Sequence, residues 1–123
     1  MKILIVDDSA VIIDYTKAIL EKHGHTVLTS NNAWVSNIIS SEKPEVVLMD
    51  MNLGAVNGVD AIKSLKGRKF SEGILYFLHS SEPLDKLIEY TKACNADGYI
   101  VKTVDERTFM SHFNLLMSTM GKK

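Results

Sequence analysis

Residues 45–50, Glu45-Val46-Val47-Leu48-Met49-Asp50, form the stretch of sequence that decides the fold. Its four consecutive apolar residues, two of them β-branched, predict a short strand that is buried on both faces. Strands of this kind belong to parallel sheets covered by helices, and such sheets carry their chemistry at the carboxyl ends of the strands. Asp50 stands at that end. The sequence therefore predicts a carboxylate at the place where the core meets solvent.

Composition narrows the class of protein. The chain has 123 residues, of which 46% are hydrophobic and 24% charged, and this is typical of one globular domain, here predicted to cover residues 1–123. Because the formal net charge is only −1, we expect neither direct nucleic-acid binding nor attraction to an acidic membrane. No apolar run approaches the roughly 20 residues that a membrane-spanning helix needs, so we expect no membrane insertion. The single Cys94 and the lack of a signal peptide predict a cytoplasmic protein.

Hydrophobic periodicity predicts further strands and helices along the chain. The first helix is expected to bury Val11, Tyr15 and Ile19, the second to carry Trp34, and the third to be capped by Asn57 after a loop. The predicted strands cover residues 2–6, 26–29, 46–50, 74–78 and 98–101. The predicted helices cover residues from about 9 to 23, 31 to 44, 57 to 67, 83 to 93 and 105 to 120.

The alternation of these strands and helices predicts an α/β fold. Its expected core is a doubly wound, five-stranded parallel sheet flanked by five helices. Right-handed crossovers leave few strand orders, and 2-1-3-4-5, the flavodoxin-like order, is a common one. In that order strands one and three are neighbours, so their carboxyl ends lie side by side.

Polar side chains follow several of the predicted strands. Asp7 and Asp8 follow strand one, Asp50 ends strand three, Ser80 follows strand four, and Lys102 follows strand five. Three carboxylates at close range repel one another, which raises the pKa of one of them unless a cation is present. Mg²⁺ is such a cation and prefers oxygen ligands. The lysine and the hydroxyl complete a pocket suited to a tetrahedral dianion. This constellation favours phosphoryl transfer to an aspartate.

These motifs resemble those of the receiver domain of two-component response regulators. In length the chain is similar to the short, chemotaxis-type single-domain regulators. The matching motifs are Ile-Val-Asp7-Asp8-Ser, Val-Leu-Met-Asp50-Met-Asn, the hydroxyl of Ser80, and Gly-Tyr-Ile-Val-Lys102. The spacings between Asp50, Ser80 and Lys102 also fit the family. The resemblance covers the chain from residue 2 to about residue 120.

The resemblance implies a role for each matching residue. Asp50 is the expected phosphoacceptor, receiving its phosphoryl group from a histidine kinase, a phosphotransfer protein or a small phosphodonor such as acetyl phosphate. Mg²⁺ is expected to bind directly to Asp8, Asp50 and the main-chain carbonyl of Asn52, with Asp7 acting through water. Lys102 is expected to pair with the phosphoryl oxygens. The implied protein is a signalling module that promotes its own phosphorylation and dephosphorylation, and not an enzyme for an external substrate.

The family also implies a switch and an output face. Ser80 is the expected switch hydroxyl, and Tyr99 the aromatic residue that turns inward behind it. Phosphorylation is then expected to reshape the face made by helix four, strand five and helix five, which an unknown output protein binds. Asn52 and Glu82 occupy positions that tune the rate at which the aspartyl phosphate hydrolyses.

Several alternatives and departures accompany this interpretation. The chain could serve as a phosphorelay intermediate or as the receiver part of a longer regulator or hybrid kinase. A phosphatase with Asp50 as its nucleophile is a remote alternative, since Asn52 stands where such enzymes carry an acid/base aspartate. A flavin-binding domain is disfavoured because Asp7 and Asp8 would repel a phosphate. Thr103 replaces the proline that usually follows the family's lysine, so the loop after Lys102 can differ.

The histidines show no metal-ligand spacing. They are therefore predicted to be structural or surface residues: His23, His25, His79 and His112.

Overall fold

The predicted strands and helices alternate along the chain in a computed structural model that describes residues 1–121. Residues 122 and 123, the end of the predicted domain 1–123, lie outside the described residues. The strands of the main sheet are β1 (Lys2–Val6), β2 (Thr26–Ser30), β3 (Val46–Asp50), β4 (Leu75–Ser80) and β5 (Gly98–Val101). The helices are α1 (Ala10–Lys22), α2 (Ser36–Glu42), α3 (Gly58–Lys66), α4 (Leu84–Cys94) and α5 (Glu106–Thr119).

The main sheet has the order β2-β1-β3-β4-β5, and all its neighbouring strands run parallel. This confirms the predicted doubly wound, flavodoxin-like order. Strand β3 lies at the centre, and every one of its residues is buried, as its uninterrupted apolar sequence requires. The more polar β2 lies at one edge.

Two hydrophobic clusters cover the two faces of the sheet. Because side chains alternate along a strand, Leu4 and Met49 pack on one face with residues of α2, α3 and α4. On the other face Leu48 and Phe77 pack with residues of α1 and α5, among them Phe113. With both faces closed by helices, polar side chains of the central strands β1, β3 and β4 can reach solvent only at the strand ends.

The predicted buried face of α1 is only partly correct. Ile19 is buried, but Val11 is 71% exposed and Tyr15 is 43% exposed. Successive steps of four residues rotate by about 40° around a helix, so a row of three such residues drifts away from the core. The buried stripe instead joins Ile19 to Thr16 and Leu20.

The second helix begins later than the sequence suggested. The Asn32 Oδ1 accepts a hydrogen bond from the Trp34 N–H at 2.9 Å, but this bond closes a local turn and caps no helix, because Val35 is the residue that precedes α2. Helix α2 starts only at Ser36. Trp34 therefore precedes the helix, with 84% of its surface exposed, and the prediction that places it on the helix is wrong.

The segment between β3 and α3 is not the plain loop that the sequence predicts. It forms a short antiparallel hairpin from Asn52–Leu53 and Val56–Asn57. Gly54 lies in its turn with a φ of +70°, a left-handed conformation that glycine adopts without strain. Asn57 caps α3 as predicted, since its Oδ1 accepts the Val59 N–H at 2.7 Å. The hairpin thus lies directly beside Asp50.

Candidate functional site

Four strand ends meet at one edge of the sheet. Asp7 follows β1, Asp50 ends β3, Ser80 ends β4, and Lys102 follows β5. Since these strands are consecutive neighbours in the sheet, the predicted site residues come together from distant parts of the sequence. One carboxylate oxygen from each of Asp7, Asp8 and Asp50 lies within 4.8 Å of the others.

The Lys102 ammonium bridges two buried carboxylates. Its Nζ lies 2.8 Å from the Asp7 Oδ2 and 2.9 Å from the Asp50 Oδ1. Asp7 is fully buried, and only 5% of Asp50 is exposed. The other Asp7 oxygen accepts the Ser9 N–H at 2.9 Å. Asp8, by contrast, is exposed, so it lies on the solvent side of the cluster.

Burial and charge act in opposite directions on the two partners of the central ion pair. Burial raises the pKa of Asp50, and the hydrogen bond and charge of Lys102 oppose this rise without cancelling it. Burial alone would lower the pKa of Lys102, but its hydrogen bonds with Asp7 and Asp50 outweigh that effect, and the pKa is raised. The lysine is therefore firmly cationic, and its charge holds the acidic cluster together.

The donor set of the cluster fits a hard divalent cation. Three carboxylates and one ammonium leave an excess of negative charge when all are ionised, and all the acidic ligand atoms are oxygens. Mg²⁺ prefers such ligands and keeps several of its waters, which suits a cluster with one exposed member, Asp8.

Ser80 is turned toward its own loop. It is 3% exposed, and its Oγ accepts the Glu82 N–H at 3.0 Å. Asn52 is exposed at the start of the hairpin, and its main-chain N–H helps to favour the ionised form of Asp50. The expected roles of Asn52 and Glu82 in setting the hydrolysis rate, and of the Asn52 carbonyl in metal binding, stay predictions.

Tyr99 lies at the outer edge of the sheet, half-buried between α4 and α5. Its ring meets that of His112 edge-to-face, with the ring centroids 5.9 Å apart. The two rings border a groove of about 260 Å³, which the following residues also line: Ile88, Thr91, Lys92, Gly98 and Leu116. The expected role of Tyr99 as a switch stays a prediction.

Gly58 is a residue of the site that sequence reasoning missed. A Cβ on Gly58 would lie 2.1 Å from the main-chain oxygen of Asp50, so only glycine allows α3 to pass this close to the end of β3. The signal was present, because glycine is a poor choice for the first residue of a helix that Asn57 already caps. The requirement itself arises from a contact between different elements.

The loop after Lys102 differs from the family pattern at Thr103. No cis peptide bond occurs within residues 1–121, so the bond between Lys102 and Thr103 is trans. The Thr103 Oγ1 accepts the Asp105 N–H at 3.1 Å, and α5 begins at Glu106. The substitution leaves the Lys102 ammonium on the acidic cluster.

His79 lies beside the site in the interior, in agreement with a structural role. It is 2% exposed, pairs in register with Asp50 across β3 and β4, and packs edge-to-face on Phe109. Burial, followed by the charge of Lys102, lowers the pKa of His79 to about 4. The imidazole is therefore neutral at physiological pH.

Comparison with known proteins agrees with this fold. Residues 3–114 match the response regulator receiver domain. The chain is 33% identical to the protein PilH of Pseudomonas aeruginosa over 118 residues, which cover 95% of this chain and 98% of PilH. It is also 27% identical to the response regulator SaeR of Staphylococcus aureus, of which it spans about half, 52%.

Solved structures extend the comparison to three dimensions. The chemotaxis protein CheY4 of Vibrio cholerae superposes with a TM-score of 0.82 at 21% identity, covering 94% of this chain and 97% of that chain, and shows the fold alone. A CheY-like receiver domain protein of Methanospirillum hungatei gives a TM-score of 0.80 at 26% identity, covering 96% and 94%. Fold and acidic site together define a signalling module of the two-component type. The chain belongs to the response regulator receiver domain family.

No helix within residues 1–121 has both the length and the apolar character needed to cross a membrane.

Proposed function

We propose that this receiver domain is switched by a phosphoryl group on Asp50. The observation that carries the proposal is the Lys102 ammonium, held at 2.8 and 2.9 Å between the buried carboxylates of Asp7 and Asp50. A buried ammonium beside a carboxylate at the mouth of the sheet is suited to stabilise the charge of an incoming phosphoryl group. Two-component signalling is the function of the family, and the roles of individual residues are our proposal.

The transfer itself requires little chemistry from the protein. The phosphoryl group comes from a phosphohistidine of a histidine kinase or phosphotransfer protein, or from acetyl phosphate. A bond forms between phosphorus and an Asp50 carboxylate oxygen while the bond from phosphorus to the donor atom breaks, and the donor keeps that electron pair. Lys102 then pairs with a phosphoryl oxygen, which keeps its ammonium neutralised.

A bound Mg²⁺ supplies positive charge to the phosphoryl oxygens. Asp8, Asp50 and the Asn52 carbonyl would hold it directly, and Asp7 through water. In the separate hydrolysis step water attacks phosphorus and the bond from phosphorus to the Asp50 oxygen breaks, which releases inorganic phosphate and regenerates the carboxylate. Asn52 and Glu82, near the mouth of the site, tune the rate of that hydrolysis. The domain thereby promotes its own phosphorylation and dephosphorylation without turning over an external metabolite.

The signal passes from Asp50 to the face made by α4, β5 and α5. In the described structure the Ser80 Oγ accepts the Glu82 N–H, which leaves the hydroxyl hydrogen available to be donated to a phosphoryl oxygen. Tyr99 follows inward, and an output protein reads the reshaped face. The same transfer serves a single-domain cytoplasmic regulator, a phosphorelay intermediate and the receiver part of a longer regulator or hybrid kinase.

Phosphorylation by acetyl phosphate tests the proposal. Wild-type protein, Asp50→Asn and the control Asp60→Asn, an exposed aspartate of α3, are incubated with acetyl phosphate and Mg²⁺ and weighed by intact mass spectrometry. Wild type and Asp60→Asn should each gain one phosphoryl group, and Asp50→Asn none. Equal labelling of Asp50→Asn would overturn the assignment. Steady hydrolysis of a phosphomonoester would point instead to a phosphatase.

A further inference from the structure

Tyr99 has a specific partner in the groove between α4 and α5. Its ring meets the His112 ring at an interplanar angle of 77°, with the centroids 5.9 Å apart, which is an edge-to-face arrangement. Both residues are half-buried. The contact joins β5 to α5 at the face that the proposed output protein reads.

His112 is placed differently from the other aromatic residues of α5. Phe109 and Phe113 are fully buried and pack into the cluster on the α1 side of the sheet. His112 lies on the groove side of the helix, one turn before Leu116. Among the described residues of α5, it is the aromatic side chain that stacks on Tyr99.

Tyr99 lies in the groove against His112, and this is one of the two positions that the proposed switch gives its ring. An inward turn of Tyr99 would take its ring out of the groove and break its contact with His112. A contact that is made in only one of two states biases the equilibrium toward that state.

We infer that His112 is a positioning residue that holds Tyr99 in the groove and so sets how readily the switch responds to phosphorylation. The inference rests on the proposed function, because it concerns the same Tyr99 movement. Edge-to-face aromatic pairs stabilise beyond their buried area by an amount that corresponds to about a 2- to 12-fold change in an equilibrium constant. Removing the His112 ring should therefore shift the equilibrium between the two positions of Tyr99 toward the inward position by that factor.

The ring, and not its charge, is expected to carry the effect. Burial lowers the pKa of His112, so the imidazole is neutral at pH 7.5. His112→Phe keeps an aromatic edge-to-face partner and should behave as wild type, whereas His112→Ala removes it. Leu115→Ala changes an exposed neighbour on the same helix and serves as the matched control.

Two measurements at pH 7.5 test the inference. Protein labelled with 3-fluorotyrosine reports the Tyr99 ring by ¹⁹F NMR, with the resonance assigned from Tyr99→Phe. In the free protein, His112→Ala should move this resonance toward its position in wild type saturated with beryllofluoride and Mg²⁺. The beryllofluoride concentration at half-saturation should fall about 2- to 12-fold in His112→Ala, and stay unchanged in His112→Phe and Leu115→Ala.

The possible failures are distinguishable. If wild type binds no beryllofluoride, both the proposed function and the inference fall. If wild type binds it but the Tyr99 resonance and the half-saturation point of His112→Ala match wild type, the inference alone is wrong. Equal shifts in His112→Ala and Leu115→Ala would show a general loosening of α5, which also overturns it.

Discussion

Replacing Lys102 by methionine should test the electrostatics of the site in the absence of any phosphodonor. Methionine has a similar length and no charge, so Lys102→Met leaves Asp7 and Asp50 facing each other without the ammonium between them. Both carboxylates are buried, and the lysine side chain itself is only 15% exposed. Solvent therefore cannot take over the role of the lost cation.

The geometry gives the size of the effect. Each ion pair, at 2.8 and 2.9 Å, corresponds to roughly 6 kcal/mol of attraction at an effective dielectric constant of about 20. The net loss is smaller, because desolvation of the lysine is also relieved and one carboxylate can take up a proton. Removing one partner from a buried pair destabilises proteins by about 3–5 kcal/mol. Since such domains have about 5–15 kcal/mol of stability, this is a large part of the total.

The loss of stability should depend on pH. Burial already raises the pKa of Asp50, and losing Lys102 removes the main influence that lowers it. A carboxyl whose folded pKa is raised contributes stability that is fully present below its unfolded pKa, near 3.9, and is lost as the pH rises through the folded value. The difference between Lys102→Met and wild type should therefore be largest at pH 7.5 and shrink toward pH 5.

Urea denaturation at both pH values, without Mg²⁺, measures these free energies of unfolding. Lys86→Met, which removes an exposed lysine of α4, controls for the loss of a positive charge and should stay within about 0.5 kcal/mol of wild type. A loss of less than about 1 kcal/mol in Lys102→Met at pH 7.5 would contradict the stabilising role of the ammonium, and so would an equal loss at pH 5.

Three further predictions concern the site and its support. Asp50→Asn should stabilise the free protein at pH 7.5, because burial raises the pKa of Asp50 and disfavours its charged form. The gain in melting temperature should shrink toward pH 4, where the wild-type carboxyl takes up a proton, and a gain that stays constant with pH would contradict this. Gly58→Ala should lose about 1–3 kcal/mol in urea denaturation, because its Cβ would lie 2.1 Å from the Asp50 oxygen, whereas Gly67→Ala, with its nearest such atom at 3.6 Å, should lose little. Tyr76→Phe should lose about 0.5–1.5 kcal/mol of unfolding free energy in the same assay, because its buried hydroxyl is hydrogen-bonded to the Ser71 hydroxyl at 2.6 Å. Tyr15→Phe, at an exposed position, should lose none.

The sheet was predictable from sequence because its strands are read from local composition. Four apolar residues before Asp50 identify β3, and an aspartate or lysine after a strand marks its carboxyl end. The secondary-structure prediction was wrong where the same residue favours two different local structures. Asn32 can begin a helix or close a turn, and the structure uses it for the turn, which leaves Trp34 outside α2.

The charged part of the site was predictable for a different reason. Once the strand order is known, Asp7, Asp50 and Lys102 must lie at the same edge of the sheet, so the topology alone places them together. Gly58 and the contact between Tyr99 and His112 could not be predicted this way. Each depends on how closely two elements approach, which periodicity does not encode.

The register between β4 and β5 connects the acidic site to the groove. Ser80 pairs with Val101, and Leu78 pairs with Tyr99, so the proposed switch hydroxyl and the proposed aromatic switch lie only two residues apart along adjacent strands. Moreover, the Lys102 N–H donates to the Ser80 carbonyl at 2.8 Å. A displacement of Ser80 toward a phosphoryl group on Asp50 therefore acts directly on the strand that carries both the ammonium and Tyr99. These links are backbone hydrogen bonds and so do not depend on which side chain lines the groove, whereas the ring contact that the proposed switch would break depends on the side chain at position 112.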